Sequence, residues 1–353
     1  MGIIGCGVIG QHHVEATAHC GDASLVAVAD LDRDKADHVG ETHGVGKVYR
    51  SGSALIRDPA IDAVILAVPT GLRAREANRA LRAGKHLLLE KPPAMNASQI
   101  RTYARLQEDA VVGFCSSRFT FTDGARAARE CVERGDIGSL RVVRCRGIFG
   151  VTPRTPGHCP PAWRVRNSLN GGGFLVNWGI YDLDYVMHIT GWRLQPESVF
   201  AQTWPIASGF AEGRVHPDSD AETHVVLMIR CTCGAVLVLE RGEAVAMQDE
   251  SAWQISGDRG SLHLQMILRK GVPAVQLDQS DPDGGVTSTT IFQGPGEDRV
   301  NTMPVLDFVE AVREGRSPRT DLRKALVLQK ILDAAYKSAR TGKAVRIRDE
   351  KSE

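Results

Sequence analysis

Two clusters in this chain pair residue types and spacings suited to chemistry. Gly5-Cys6-Gly7-Val8-Ile9-Gly10 fits a G-x-G-x-x-G turn, and Glu90-Lys91-Pro92 closes the later apolar run that starts at His86. Glycines in that pattern let a backbone approach a pyrophosphate, which a helix amino terminus then stabilises. A lysine at the carboxyl end of a later strand of the same sheet lies where open α/β sheets hold their ligands. Its ammonium can polarise a substrate oxygen beside a nicotinamide. A third stretch runs from Gly171-Gly172-Gly173 to Gly191 and reads as one helix over 174–190. Spacings of three and four sort its side chains into an apolar stripe (Val176, Ile180, Leu183, Met187) and a polar one (Asn177, Tyr181, Asp184, His188). A polar stripe beside a packed one suits the wall of a cleft.

The glycines need a strand before them and a helix after them, starting near Val8 and Ile9. Asp30 ends the second expected strand 20 residues past Gly10, with Leu31 next to it. A carboxylate at that distance accepts from the adenosine ribose hydroxyls and repels a 2′-phosphate, so NAD is expected over NADP. Asp32 and Asp34 add negative charge against Arg33 alone. Pro69 and Thr70 follow another strand and border the same crevice. Arg73 and Arg75 read as solvated helix residues, and His12 and His13 as surface or packing residues.

Short apolar runs at 25–29, 63–68, 86–90 and 111–114 alternate with helix-length stretches such as 72–83 and 97–108. That grammar predicts a doubly wound parallel sheet covered on both faces, over residues 1–118. Its first strand is short, because only four residues precede Gly5. After a helix at 124–134 the runs become richer in β-branched residues, at 140–146, 223–230, 235–240 and 251–255. Turns at Cys233-Gly234 and Gly257-Asp258-Arg259-Gly260 suit hairpins, so residues 119–353 are expected to form an α+β domain with one large, mainly antiparallel sheet. Helices at 308–313 and 322–339 close the chain.

Bulk composition narrows the partners. The 353 residues suffice for two domains, and 42% hydrophobic with 24% charged residues allows a sizeable core. A formal charge of +1 with no long single-sign run argues against nucleic acid or an acidic membrane as partner. Eight scattered cysteines, with Cys231-Thr232-Cys233 the one close pair, read as reduced thiols of a cytoplasmic protein, and no metal site is expected. No signal peptide or membrane span is legible.

Residues 5–10, Asp30, Ala83-Gly84-Lys85-His86 through Glu90-Lys91-Pro92, 171–184 and 338–343 together resemble the Gfo/Idh/MocA oxidoreductases. The resemblance covers nearly the whole chain. It implies an N-terminal Rossmann domain that binds NAD, a C-terminal substrate-binding and oligomerisation domain, and Lys91 as the active-site lysine. Further, it implies a dehydrogenase or reductase interconverting an alcohol and a carbonyl on a sugar, sugar derivative or cyclitol. The family usually has aspartate where this chain has Asn177 and histidine where it has Tyr181. Some branches carry the tyrosine and are thought to use it as acid–base.

The chemistry of that substitution is coherent. A phenol titrates near ~10, so it serves as a base at neutral pH only when a cation such as Lys91 stabilises the phenolate. Tyr181 would take the hydroxyl proton as hydride leaves carbon, and Asn177 would orient a second hydroxyl. Arg118, Trp163 and Arg164 are further substrate-contact candidates, and His158 is an acid–base reserve in the Pro-rich loop. Two rival functions share these motifs: a glycosidase that oxidises its sugar transiently with held NAD, and a non-catalytic sugar or dinucleotide sensor. Net NADH release separates the first rival, and binding without turnover the second. A dimer or tetramer is expected if one face of the large sheet is uncovered.

Overall fold

Alternate residues of each N-terminal strand enter two separate cores, which is what a sheet buried on both faces requires. The computed structural model describes residues 1–152, 166–212, 214, 216–267, 274–281, 283–294 and 300–347. Its first sheet contains β1 (Gly2–Ile4), β2 (Ala27–Ala29), β3 (Lys47–Tyr49), β4 (Ala63–Leu66), β5 (His86–Leu89) and β6 (Val112–Phe114). All pairs are parallel, in the order β3-β2-β1-β4-β5-β6. Ile4, Val64, Leu66, Leu87 and Leu89 point to one core with Leu55, Ala77, Leu81, Ile100 and Tyr103. Ile3, Val28, Ile65 and Leu88 point to the other with Val14, Val39, Val305 and Phe308. Each fully buried Ile or Leu contributes about 1.5–3 kcal/mol.

The doubly wound sheet expected from the sequence is present. β3 is an addition: Lys-Val-Tyr at a sheet edge is too short and too polar to register as an apolar run. A second addition concerns the chain's end. Arg299–Gln329 groups with Met1–Arg118 as the first compact unit, where the sequence reading had placed everything after 118 in one domain. Val305, Phe308, Leu322 and Ala325 fill the two cores of that first unit.

The second unit comprises Phe119–Asp298 and Lys330–Glu353. Its strands are β7 (Leu140–Gly150), β8 (Pro196–Trp204), β9 (His224–Cys231), β10 (Val236–Val245), β11 (Glu250–Gly257), β12 (Gly260–Leu264), β13 (Val275–Ser280), β14 (Val286–Phe292) and β15 (Val345–Arg346). They form one sheet ordered β14-β13-β12-β11-β7-β10-β9-β8-β15. It is antiparallel except where β7 and β10 run parallel. Both expected hairpins are present, joining β9 to β10 and β11 to β12. Along β9, Val225, Leu227, Ile229 and Cys231 are buried, while Met228 and Arg230 on the other face are exposed. The expected helix at 174–190 is interrupted. Leu175–Gly179 is a π-helical turn, and the α-helix proper is Ile180–Ile189.

Candidate active site

The first unit builds its site at the topological switch point, where β1 and β4 are neighbours and their chains leave in opposite directions. Gly5 has φ +103°, and a Cβ there would meet the Ala67 carbonyl oxygen at 2.6 Å. At Gly10 a Cβ would meet the Gly5 carbonyl oxygen at 1.9 Å. Those two glycines therefore serve the turn itself. Gly7 differs: nothing lies within 4 Å of where its Cβ would be. That open space faces the start of helix Val8–Ala18, whose amino end has no side-chain cap and no acidic residue in its first turn.

Helix Thr70–Arg82, which follows β4, also begins without a side-chain cap, at Pro69. By contrast Asp32, Ser51 and Asn96 cap the helices Arg33–His43, Gly52–Ile56 and Ala97–Leu106. The two uncapped helices thus flank the switch point, and their free N–H groups and dipoles suit an anionic ligand. Thr70 Oγ1 is buried there with no hydrogen-bond partner among the described residues.

Asp30 ties the glycine turn to β2. One carboxylate oxygen accepts from the Cys6 N–H at 2.7 Å and the other from the Asp32 N–H at 2.9 Å. An ionised carboxylate offers about four acceptor positions, which leaves lone pairs for ribose hydroxyls. Val8 and Leu31 expose apolar side chains on either side of the turn, at 80% and 85% of full exposure. Cys6 is inert, because burial and then the Asp30 charge push its thiol up to about 12. Open space at Gly7, uncapped helices and a carboxylate after β2 together fit a dinucleotide.

The Glu90-Lys91-Pro92 turn lies at the carboxyl end of β5 and is held from beneath. Arg73, read from the sequence as solvated, is buried. Its first-turn position on Thr70–Arg82 directs the guanidinium to the carbonyls of Glu90, Pro92 (2.5 Å), Val68 (3.0 Å) and Lys91 (3.5 Å). The helical pattern gave no sign of it, since an arginine near a helix start is ordinarily solvated; Arg75 is. Glu90 is also buried. Oε1 lies 2.9 Å from His13 Nε2 and 3.5 Å from Arg118 Nη2, and Oε2 accepts the Lys91 N–H at 3.0 Å. Burial opposes its ionisation, but the His13 hydrogen bond and the Arg118, His13 and Lys91 charges hold it well below the usual carboxylate range. The structure therefore brings Arg118 to Glu90.

Asn177 and Tyr181 lie in the second unit and are 5% and 3% exposed. Asn177 sits inside the π-helical turn, a feature that recurs at functional sites. The Tyr181 ring meets Phe119 edge-on at 5.2 Å and Trp178 at 5.9 Å. The polar stripe is buried along its length rather than partly exposed, Asp184 and His188 included. Arg129 donates to the His188 carbonyl at 3.4 Å.

Two anchors that the sequence did not reveal hold this helix. Asp182 receives Arg241 Nε and Nη2 at 2.6 and 2.7 Å and Trp253 Nε1 at 2.7 Å, all buried. Removing one partner of such a pair costs about 3–5 kcal/mol. Glu222 accepts the N–H groups of Gly173 and Leu175 at 2.8 and 3.0 Å and the Tyr336 hydroxyl at 2.8 Å. Both anchors come from residues far along the chain, so no local spacing announces them. Trp163, Arg164 and His158 lie outside the described residues.

The comparisons with known proteins agree with this geometry. Residues 1–114 match a family described as an oxidoreductase family with an NAD-binding Rossmann fold, and residues 129–347 match its C-terminal alpha/beta domain. The myo-inositol 2-dehydrogenase of Thermotoga maritima is 27% identical, over 99% of this chain and 98% of its own length. The D-glucoside 3-dehydrogenase of Escherichia coli is 26% identical, over 98% of this chain and 97% of its own. A solved levoglucosan dehydrogenase, in complex with NADH and levoglucosan, superposes with a TM-score of 0.80 at 23% identity and covers 98% of both chains. No helix among the described residues is long and apolar enough to cross a membrane.

Proposed function

The chain belongs to the Gfo/Idh/MocA oxidoreductase family, and from that premise we propose an NAD-dependent dehydrogenase or reductase of a sugar, sugar derivative or cyclitol. The relatives named for myo-inositol, a D-glucoside and levoglucosan support the substrate class. The observation that carries the reading is Lys91, held at the carboxyl end of β5 by Arg73 and Glu90, in the same unit as the uncapped helices of the switch point.

Gly5, Gly7, Val8, Ile9, Gly10, Asp30, Leu31, Pro69 and Thr70 would hold NAD, which when bound accepts or donates the hydride. Lys91 polarises the reacting oxygen with its ammonium. Tyr181 removes the hydroxyl proton in oxidation and returns it in reduction, its phenolate favoured by a nearby cation. Asn177 orients a neighbouring hydroxyl through its amide. Arg118 helps to fix Glu90 and with it the lysine turn.

The test is a panel of sugars, sugar acids and inositols with NAD and NADP, followed by nicotinamide absorbance. Reduction of NAD with one substrate group is expected. On that substrate Lys91→Met and Tyr181→Phe should each lower kcat by roughly 10²–10⁴. Tyr181→Phe with near wild-type kcat would end the acid–base assignment. Glycoside cleavage without net NADH would replace dehydrogenation by transient oxidation, and NAD binding without turnover would point to a sensor.

Self-association is proposed on separate grounds. Phe200, Trp204 and Met228 expose apolar side chains on one face of the large sheet, with Phe200 and Met228 in register across β8 and β9.

A further inference from the structure

His13 lies on helix Val8–Ala18, one turn past Gly10, and its ring is buried. Nε2 is 2.9 Å from Glu90 Oε1. An ionised carboxylate only accepts hydrogen bonds, so Nε2 carries the proton and donates. Nδ1 is buried with no partner among the described residues. Among the described residues the ring therefore makes its polar contact with Glu90 alone. Glu90 in turn uses its other oxygen to hold the backbone N–H of Lys91.

The groups around that carboxylate come from four places in the first unit. His13 approaches from Val8–Ala18, Arg118 and Cys115 from the turn after β6, Arg73 from Thr70–Arg82, and Lys91 from the same turn as Glu90. Burial raises the Cys115 thiol well above its ordinary range, so it stays protonated beside Glu90. His13, Glu90 and Cys115 offer ligand atoms within 4.8 Å of one another. Arg118, Arg73 and Lys91 crowd positive charge around them, an environment that opposes a divalent cation. Hydrogen bonding, not metal binding, accounts for the cluster.

We propose that His13 is a positioning residue for Lys91. By donating to Glu90 it fixes the carboxylate that holds the Lys91 amide, and so presents the ammonium in one orientation beside a fixed negative charge. The helix that begins at the cofactor glycines thereby also supports the lysine turn. This rests on the reading of Lys91 as the substrate-facing lysine.

The test compares wild type with His13→Leu and His13→Gln, whose amide nitrogen can still donate to Glu90. Each protein is measured for thermal stability, NAD affinity by calorimetry, and kcat and KM on the substrate found in the panel. The environment of the Lys91 side chain is followed independently by carbon-13 reductive methylation and NMR, with Lys91→Arg assigning the resonance. His13→Leu should lower kcat roughly tenfold or more while NAD affinity stays within about threefold. The Lys91 resonance should shift or broaden as the turn loses its fixed carboxylate. His13→Gln should return kcat to within about threefold of wild type.

Wild-type kcat and an unchanged Lys91 resonance in folded His13→Leu would overturn the proposal. Equal impairment of the leucine and glutamine variants would do the same. Should His13→Leu fail to fold, His13→Asn takes its place, because asparagine is polar but too short to reach Glu90. If wild type turns over no substrate in the panel, the reading of Lys91 fails by itself. The Lys91 resonance then still decides whether His13 acts on Lys91.

Discussion

Two glycine clusters open two helical segments in this protein, and they use the residue for opposite ends. In the first unit, Gly5 and Gly10 pack a turn so closely that no Cβ fits, yet Gly7 is left facing empty space before an uncapped helix. In the second unit, a Cβ at Gly172 would meet the Tyr336 hydroxyl oxygen at 1.9 Å, and one at Gly173 would meet the Glu222 carbonyl oxygen at 1.9 Å. There the amino-terminal N–H groups are already bonded to the Glu222 carboxylate. One cluster keeps its anion site for a ligand. The other fills it with the protein's own side chain. Glycines before a helix occur in both cases; the neighbours show which use they serve.

Substitution at these positions should separate the two uses. The largest effects are expected from Gly10→Ala and Gly173→Ala, where each new methyl meets a backbone carbonyl. Each should lose about 3 kcal/mol in urea unfolding. A Gly173→Ala protein as stable as wild type would mean that the second cluster is not packed as described. Next in size is Gly7→Leu. Gly7 has φ −73°, which any residue adopts, so stability should stay within about 0.5 kcal/mol. NAD affinity should fall roughly 100-fold, about 2.7 kcal/mol, by calorimetry. Unchanged affinity would remove the open space from the cofactor site.

Glu222→Gln is expected to have the smallest effect. Its amide keeps one acceptor and loses the other, which should cost about 1–2 kcal/mol of stability without changing NAD affinity. A loss of NAD binding in that variant would blur the distinction between the clusters.

The sequence made the first unit more legible than the second. A parallel sheet buried on both faces leaves continuous apolar runs, and the glycine–Asp30 spacing is local. β3 escaped because an edge strand needs little apolar character. In the second unit, β8 and β13 bury only two residues each and β14 none, so they pass as loop. The helical stripe at 177–188 had the right members, but the π-helical turn and the burial of all four polar residues were not written in the spacing. Among charged residues the misreading had one cause. Arg73, Asp182, Glu222 and Arg241 are buried because of partners elsewhere in the chain, and a sequence window reports only neighbours along it.

The contribution of Arg299–Gln329 to the first unit has a consequence for biosynthesis. Phe114 N–H bonds to the Thr320 carbonyl, and Val305, Phe308, Leu322 and Ala325 complete two cores that the first 118 residues supply for the most part. A ribosome releasing the N-terminal segment exposes a sheet that still lacks part of its cover. The surface that those four side chains cover stays open until nearly the whole chain has been made. The contacts that close that surface have very long sequence separation and form slowly. A fragment ending at 118 carries the glycine turn, Asp30 and Lys91 but leaves both cores short of those four side chains.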